Sequence, residues 1–337
     1  MKRPPLVPLF LAAVVTVAGC EADTPSSTDG GKDASGAQDT GVDGATPPDG
    51  GIPSDGGLDA GSPAEDTTPF AEPIDGSTHH FNATWWGYNM GKITRRGSRV
   101  YTYFVDNDKK AGDPFDFVIM MKEGDGTWQE GARLPTSRPG NILVDSKGRL
   151  HAFVFEAFDM SGNDSWGYLR HYTFPFVGDI NNHLVETVVD NDGTTETVNI
   201  RAGAAVGPGD RMTVGWGLWL PDGKDQSIET YDWTPGTNEW TRSIGFTNLG
   251  HDFYYPYMLA HADGATMLSI QDDFVAPNEG NIYQIVDAFT RTGTTWSRDN
   301  LVDRTGHELA ATRRALLETS DLYEDSKGVT HAIVKEF

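Results

Sequence analysis

A chain of 337 residues has room for one large domain or two ordinary ones. Its 26 Lys and Arg stand against 49 Asp and Glu, a formal net charge of −23. So acidic a surface repels phosphate backbones, which excludes nucleic acid as a partner. The single cysteine excludes a disulfide framework and the multi-Cys zinc sites, while 11% aromatic residues exclude a wholly disordered chain.

The N-terminus reads as an address. Lys2 and Arg3 precede an apolar stretch from Leu6 to Ala18, too short for a lasting transmembrane helix but suited to the core of a signal peptide. The stretch ends in Val17-Ala18-Gly19-Cys20. This resembles the lipobox of bacterial lipoproteins, an aliphatic residue and two small ones before cysteine. The resemblance implies a signal peptide over 1–19, cleavage before Cys20, and acylation of Cys20 on its sulfur and its new amino group. Several acyl chains hold a protein on a membrane stably, where one holds it marginally. Glu21 follows the cysteine, not the Asp that retains some lipoproteins at the inner membrane, so an outer-membrane address is expected, periplasmic or surface-exposed.

Residues 20–69 follow as a tether. From Glu21 to Pro69 there is no aromatic residue, and eleven acids face Lys32 alone. Such a segment buries too little apolar surface to offset its ordering entropy and is expected to be disordered, reaching roughly 40 Å as a flexible coil.

From Phe70 to Phe337 the pattern changes to short runs rich in Val, Ile, Tyr, Trp and Thr between Gly, Asp and Asn, the signature of an all-β fold. The runs repeat. Asn141–Val154 (NILVDSKGRLHAFV) returns as Asp321–Val334 (DLYEDSKGVTHAIV), an offset of 180 that aligns Asp145, Gly148 and His151 with Asp325, Gly328 and His331. Weaker copies of the same turn occur at Gly207-Pro208-Gly209-Asp210 and Ala262-Asp263-Gly264, and Arg96-Gly97-Ser98 heads the set. Trp128, Trp240 and Trp296 form a second series, spaced by 112 and 56. Each unit reads as four strands, A to D; in the second they are expected near Asn141–Val144, Leu150–Phe155, Tyr168–Phe174 and His183–Val189. Four complete units run from Trp86 to about Val302 and a half unit follows, which predicts a β-propeller of four-stranded blades. Either residues from about Phe70 to Thr84 close a five-bladed ring, or the chain is a truncated six- or seven-bladed form, since a ring does not leave strand edges unpaired.

The C–D turns GDGTW, GTNEW and GTTWS resemble degraded Asp-boxes of the sialidase-type (BNR) propellers. The resemblance implies that Trp128, Trp240 and Trp296 are packing residues on the face away from the ligand. In a propeller the D–A and B–C connections converge on one face, where ligands bind. There the fourth unit gathers His251, Asp252, Tyr254 and Tyr255 opposite Asp272 and Asp273, groups suited to acid–base work and stacking on a glycan. Arg138 and Arg201 stand early in consecutive A strands. Sialidase-like sites gather three arginines from such positions around a carboxylate, with Arg313 or Arg314, from an expected helical insertion at Glu308–Leu317, or Tyr257 as the third group. Asp272 with Asp273, or Asp106 with Asp108, are the weak candidates for calcium; no other cofactor is expected. His151 and His331, copied with the repeat, read as packing or turn-supporting residues. No phosphate loop, dinucleotide fingerprint, His-Glu-x-x-His or Gly-x-Ser-x-Gly elbow occurs. The expected protein is a lipid-anchored propeller that binds an extracellular glycan or protein; the alternative is a glycan-active enzyme, a sialidase-like hydrolase or a propeller-type polysaccharide lyase.

Overall fold

The computed structural model describes residues 13–17, 91–106, 110, 113–158, 167–191, 197–219, 226–237, 239–247, 252–274, 282–304, 314–315 and 317–336. Strand β1 (Ala13–Val17) comes first, and the remaining strands fall into five consecutive sheets. The first is β2 (Ile93–Arg96), β3 (Arg99–Asp106), β4 (Phe115–Glu123) and β5 (Gln129–Thr136). The second is β6 (Asn141–Val144), β7 (Leu150–Ala157), β8 (Gly167–Thr173) and β9 (Leu184–Asn191), within two residues of the expected strands at every end. The third is β10 (Thr197–Val206), β11 (Met212–Trp219), β12 (Gln226–Trp233) and β13 (Trp240–Phe246). The fourth is β14 (Asp252–Ala260), β15 (Gly264–Phe274), β16 (Ile282–Thr292) and β17 (Thr295–Asp303), with β18 (Arg314–Ala315) added parallel to β16. In the fifth, β19 (Leu317–Thr319) and β20 (Tyr323–Glu324) pair with one edge of β21 (Thr330–Glu336). The other edge of β21 carries β1, antiparallel, with Ala13 opposite Val334 and Val17 opposite Thr330. The strand that covers this edge thus comes from the expected signal region; residues 70–84 lie outside the described residues.

Within each of the first four sheets the strands pair in chain order as an antiparallel meander. The leading strand of one sheet touches the leading strand of the next, β2 to β6, β6 to β10 and β10 to β14. The sheets therefore radiate from these inner strands like blades. Asp321, between β19 and β20, acts electrostatically on Lys92, which immediately precedes β2, so the fifth sheet adjoins the first. Burial lowers the Lys92 pKa and raises that of Asp321, and each charge offsets the other's cost. The fold is a β-propeller, here of five sheets.

Side-chain alternation explains why each sheet needs two neighbours. On β7, Leu150, Ala152 and Val154 pack with Tyr101, Val105 and Phe117 of the first sheet. The intervening Phe153 and Phe155 pack with Met212, Val214 and Trp216 of the third. This period of two leaves almost no solvent face on β7. Ile228 meets Met267 and Phe289 between the third and fourth sheets, and Tyr257 meets Leu317 and Ala332 between the fourth and fifth. Glycine permits the closest approach: a Cβ on Gly203 of β10 would stand 2.2 Å from the Pro256 carbonyl oxygen in β14.

The second tryptophan series acts as packing. Trp240 reaches back to the second sheet, edge-on to Phe153 at 5.8 Å and His171 at 5.5 Å. Trp296 covers Gly245 of β13 and donates Nε1 to Ser243 Oγ at 3.2 Å. Trp128 packs on Phe104, Val118 and Met120 of its own sheet. The helical insertion expected over 308–317 is not seen where the chain is described. Residues 314–315 and 317–319 are strands, and the only helical element among the described residues is a 3-10 turn, Pro208–Asp210. Pairing with β16 and β21 overrides the helix propensity of Ala, Leu, Glu and Arg in that segment.

One buried side chain ties three sheets. Asn141 Oδ1 accepts the Gly91 N–H at 3.0 Å, and Nδ2 donates to the Ala202 carbonyl at 2.7 Å. Asn141 is 2% exposed, so neither partner has water as a substitute. Asn141→Ala is expected to cost about 2–4 kcal/mol and to lower Tm by about 5–10 °C in calorimetry. Asn141→Asp, which turns the donor into an acceptor, should cost at least as much.

Candidate functional site

The loop-rich face lies where β5 runs into β6, β9 into β10 and β13 into β14, and where the second strand of each sheet runs into the third. The sequence candidates reach it unequally. Arg138 is half-buried between β5 and β6; its backbone N–H donates to Thr136 Oγ1 at 3.1 Å and its Nη1 to the Ser137 carbonyl at 2.9 Å. Arg201 is the fifth residue of β10, at the bulge between Val198 and Ala202. Val144 and Val206 end equivalent strands, and six residues back from them lie Arg138 and Ile200. Counted back from those strand ends, Arg201 is one place nearer than Arg138. His251 lies outside the described residues. Asp252 stands opposite Asp272 in the β14–β15 pairing, and Tyr254 opposite Ile270. Tyr255 sits in the irregularity between Tyr254 and Tyr257, and Asp273 pairs with Tyr283 of β16. The structure thereby brings Asp252, Tyr254 and the Asp272–Asp273 pair to one hairpin end.

Other candidates are spent on packing. Tyr257 is 3% exposed and belongs to the core between the fourth and fifth sheets. Arg313 lies outside the described residues, and Arg314 is in β18. Asp106, weighed for calcium, takes Arg133 Nη1 at 2.8 Å; the same arginine reaches Asp116 at 3.2 Å and Glu130 at 2.8 Å. The hydrogen bond to Asp106, then that to Glu130, pushes the Arg133 pKa above its ordinary value. Asp108 lies outside the described residues. His331 supports its turn as expected, with Nε2 3.1 Å from Asp325 Oδ2. That bond, with the Val329 and Lys327 N–H groups, holds the Asp325 pKa below the usual carboxylate range.

At the β7–β8 end of the second sheet the structure shows a cluster that the sequence did not reveal. Phe158 follows β7 and is 46% exposed. Its ring meets Tyr168 edge-on at 4.7 Å. Arg170, two residues along β8 and so on the same side, sets its guanidinium 3.8 Å above the Tyr168 ring. Arg170 also donates Nε to Glu156 Oε2 at 2.8 Å and Nη1 to Thr187 Oγ1. Glu156 and Tyr168 are opposite each other in the pairing register. The result is an exposed aromatic rim beside a fixed donor–acceptor pair. That combination takes an apolar ring face and polar substituents together.

No protein-family model and no curated sequence matches the chain. Among solved structures it is similar to an exo-β-1,3-galactanase of Phanerochaete chrysosporium, with TM-score 0.43 and 8% identity over 74% of this chain and 60% of that one. A GH43 β-1,3-galactosidase gives TM-score 0.41 and 8% identity over 72% and 55%. A Trypanosoma rangeli sialidase gives TM-score 0.38 and 12% identity over 62% and 37%. The chain therefore spans between about one third and three fifths of these enzymes, and its architecture rests on its own strand order.

Exposure separates rim from core. Phe158→Ser is expected to move Tm by less than about 2 °C, because surface changes stay within about 0.5 kcal/mol. Tyr257→Ala should cost about 3–5 kcal/mol, as truncating a buried aromatic does. Thermal unfolding of both variants checks the assignment.

Proposed function

We propose that the propeller is the recognition head of an envelope-anchored lipoprotein and binds an extracellular glycan or protein through its loop-rich face. The observation that carries this reading is the Phe158–Tyr168–Arg170–Glu156 cluster, which leaves a large aromatic half-exposed next to a held guanidinium and carboxylate. A sugar fits the cluster with its C–H face on an aromatic ring face and its hydroxyls on the charged pair. The lipobox supplies the membrane attachment, with Cys20 as the acylated residue and an outer-membrane address. Cleavage before Cys20 would remove β1 and uncover the outer edge of β21.

A glycan array probed with the protein should return at least one class of bound glycan. Phe158→Ala and Tyr168→Ala should each weaken that binding by about tenfold or more, equal to about 1.4 kcal/mol. Full-strength binding by both variants would place recognition elsewhere. In the bacterial host, Cys20→Ala should move the protein from the membrane fraction to the soluble one and stop incorporation of a labelled fatty acid.

One observation favours an enzyme as the second reading. Asp252 and Asp272 are directly opposite in the β14–β15 pairing. A pair of carboxylates at facing strand positions is the residue set with which glycosidases do acid–base chemistry. His251, Tyr254, Tyr255 and Asp273 would serve beside them, with Arg138 and Arg201 as the groups for an acidic sugar. Such an enzyme should release reducing sugar or an unsaturated product from a polysaccharide panel, and Asp272→Asn should abolish the release. Absence of any product with the wild-type protein contradicts this reading.

A further inference from the structure

Four of the nine exposed large apolar side chains among the described residues fall within positions 176–185: Phe176 (69% exposed), Val177 (52%), Leu184 (67%) and Val185 (55%). They belong to the β8–β9 connection and the start of β9, on the face opposite the loop-rich end. The connection is pinned from both sides. Phe174 is buried and donates its N–H to the Leu150 carbonyl at 2.9 Å. Ile180 is buried, and its carbonyl accepts the Ala132 N–H of the first sheet at 2.7 Å. Between these anchors the Asp179 N–H closes a turn on the Phe176 carbonyl at 3.1 Å. The Asp179 carboxylate in turn takes the N–H groups of Asn181 and Asn182 at 2.8 and 3.0 Å. Phe176 and Val177 are thus held outward at the tip of a braced loop.

Cations flank this tip in a chain whose net charge is −23. The β2–β3 hairpin carries Arg95, Arg96 and Arg99 with no acid among them, and the β6–β7 hairpin carries Lys147 and Arg149. A Cβ on Gly148 would stand 3.4 Å from Val177 and 3.8 Å from Arg96 Cγ. One on Gly178 would stand 3.0 Å from Arg99 Nε, so the tip lies between Arg96 and Arg99. Arg95 Nε donates to the Gly97 carbonyl at 2.9 Å, and Arg96 Nη2 to the Ser146 carbonyl at 2.6 Å. These neutral acceptors fix the side chains without cancelling their charge. Arg99 is paired with Glu123 at 3.0 Å and Arg149 with Asp145 at 2.6 Å, so the exposed positive rim is Arg95, Arg96 and Lys147.

An apolar tip rimmed by cations matches the chemistry of a bilayer interface. Rings and branched side chains enter below the headgroups, while long basic side chains keep their charge at the phosphates. A tether of residues 20–69 would bring such a surface within reach but would not choose which face of the propeller meets it. We propose that this corner is the membrane-facing surface of the propeller, a proposal that rests on the anchored-lipoprotein reading. Phe176 and Val177 enter the interface of an anionic phospholipid bilayer, and Leu184 and Val185 widen the apolar contact. Arg95, Arg96 and Lys147 engage the headgroup phosphates. The loop-rich face, at the other end of the strands, is thereby turned away from the membrane.

The test uses the full chain as a bacterial host processes it, bound to vesicles of phosphatidylethanolamine and phosphatidylglycerol that carry a headgroup nitroxide lipid. Ser98→Cys, in the β2–β3 hairpin, and Asp190→Cys, at the loop-rich end of β9, each take a bimane fluorophore. With Cys20, the chain's only cysteine, acylated, the introduced thiol is the reactive one. The Ser98 probe should be quenched and the Asp190 probe should not. Phe176→Ser combined with Val177→Ser should abolish the quenching at Ser98 while the protein still sediments with the vesicles. Arg95→Gln combined with Arg96→Gln should reduce it by about threefold or more, and raised salt should weaken it in the wild type. Protein that stays in the supernatant overturns the anchor reading and this proposal with it. Protein that sediments with both probes quenched alike or unquenched alike, or with a Ser98 signal that survives both double substitutions, overturns this proposal alone.

Discussion

Asp210 hands both of its carboxylate oxygens to Ser146, Oδ1 to the backbone N–H at 2.6 Å and Oδ2 to the hydroxyl at 2.8 Å. This joins the hairpin that opens the third sheet to the one that opens the second, and the handover continues round the molecule. Arg96 donates to the Ser146 carbonyl at 2.6 Å, Arg211 donates to the carbonyls of His261 and Gly264 at 3.2 Å, and His261 Nδ1 meets Glu324 at 2.9 Å. These contacts run between the hairpins that open successive sheets, and they add to the buried Asn141 tie between the inner strands. Asp210 is held at φ 61°, left-handed for a residue with a side chain, and is only 8% exposed. Strain of that kind persists where surrounding contacts over-determine it, as two short charge-assisted hydrogen bonds do here.

A second tie repeats the device lower in the sheets. Asp232 takes Arg211 at 2.7 Å from its own sheet and Arg291 at 2.6 Å from the next. Farther out, carboxylates pair with arginines of the last strand, Glu229 with Arg242 and Asp287 with Arg298, both at 2.6 Å. The second sheet reverses this scheme: at the equivalent place beside the bulge of its third strand stands Arg170, which donates Nε to Glu156 Oε2 on the second strand at 2.8 Å.

Much of the architecture was legible because it rests on local chemistry. The Asp-Ser-Lys-Gly turn fixes itself: Asp145 accepts the Arg149 N–H and Asp325 the Val329 N–H, while Gly148 and Gly328 take φ of 82° and 77°. Such turns, and the alternation in β7, can be read from one strand at a time. The Phe158 cluster could not, because Glu156, Phe158, Tyr168 and Arg170 meet only once the β7–β8 register is known. His151 and His171, whose ring nitrogens meet at 3.0 Å, are twenty positions apart on different strands, and nothing in either segment signals the other. The segment at 314–319 shows the opposite failure, in which good local helix formers yield to strand pairing. Of the residues chosen for the loop-rich face, Asp252 and Asp272 are brought opposite each other in the strand pairing.

The hairpin handover is most directly tested by a double-mutant cycle on Ser146→Ala and Asp210→Ala, read by denaturant unfolding. The expected coupling is about 1–2 kcal/mol, the range for a hydrogen bond to a charged group. Effects that add to within about 0.5 kcal/mol would mean that the two hairpins are energetically independent. That result would contradict the view that contacts between neighbouring hairpins hold the sheets in register.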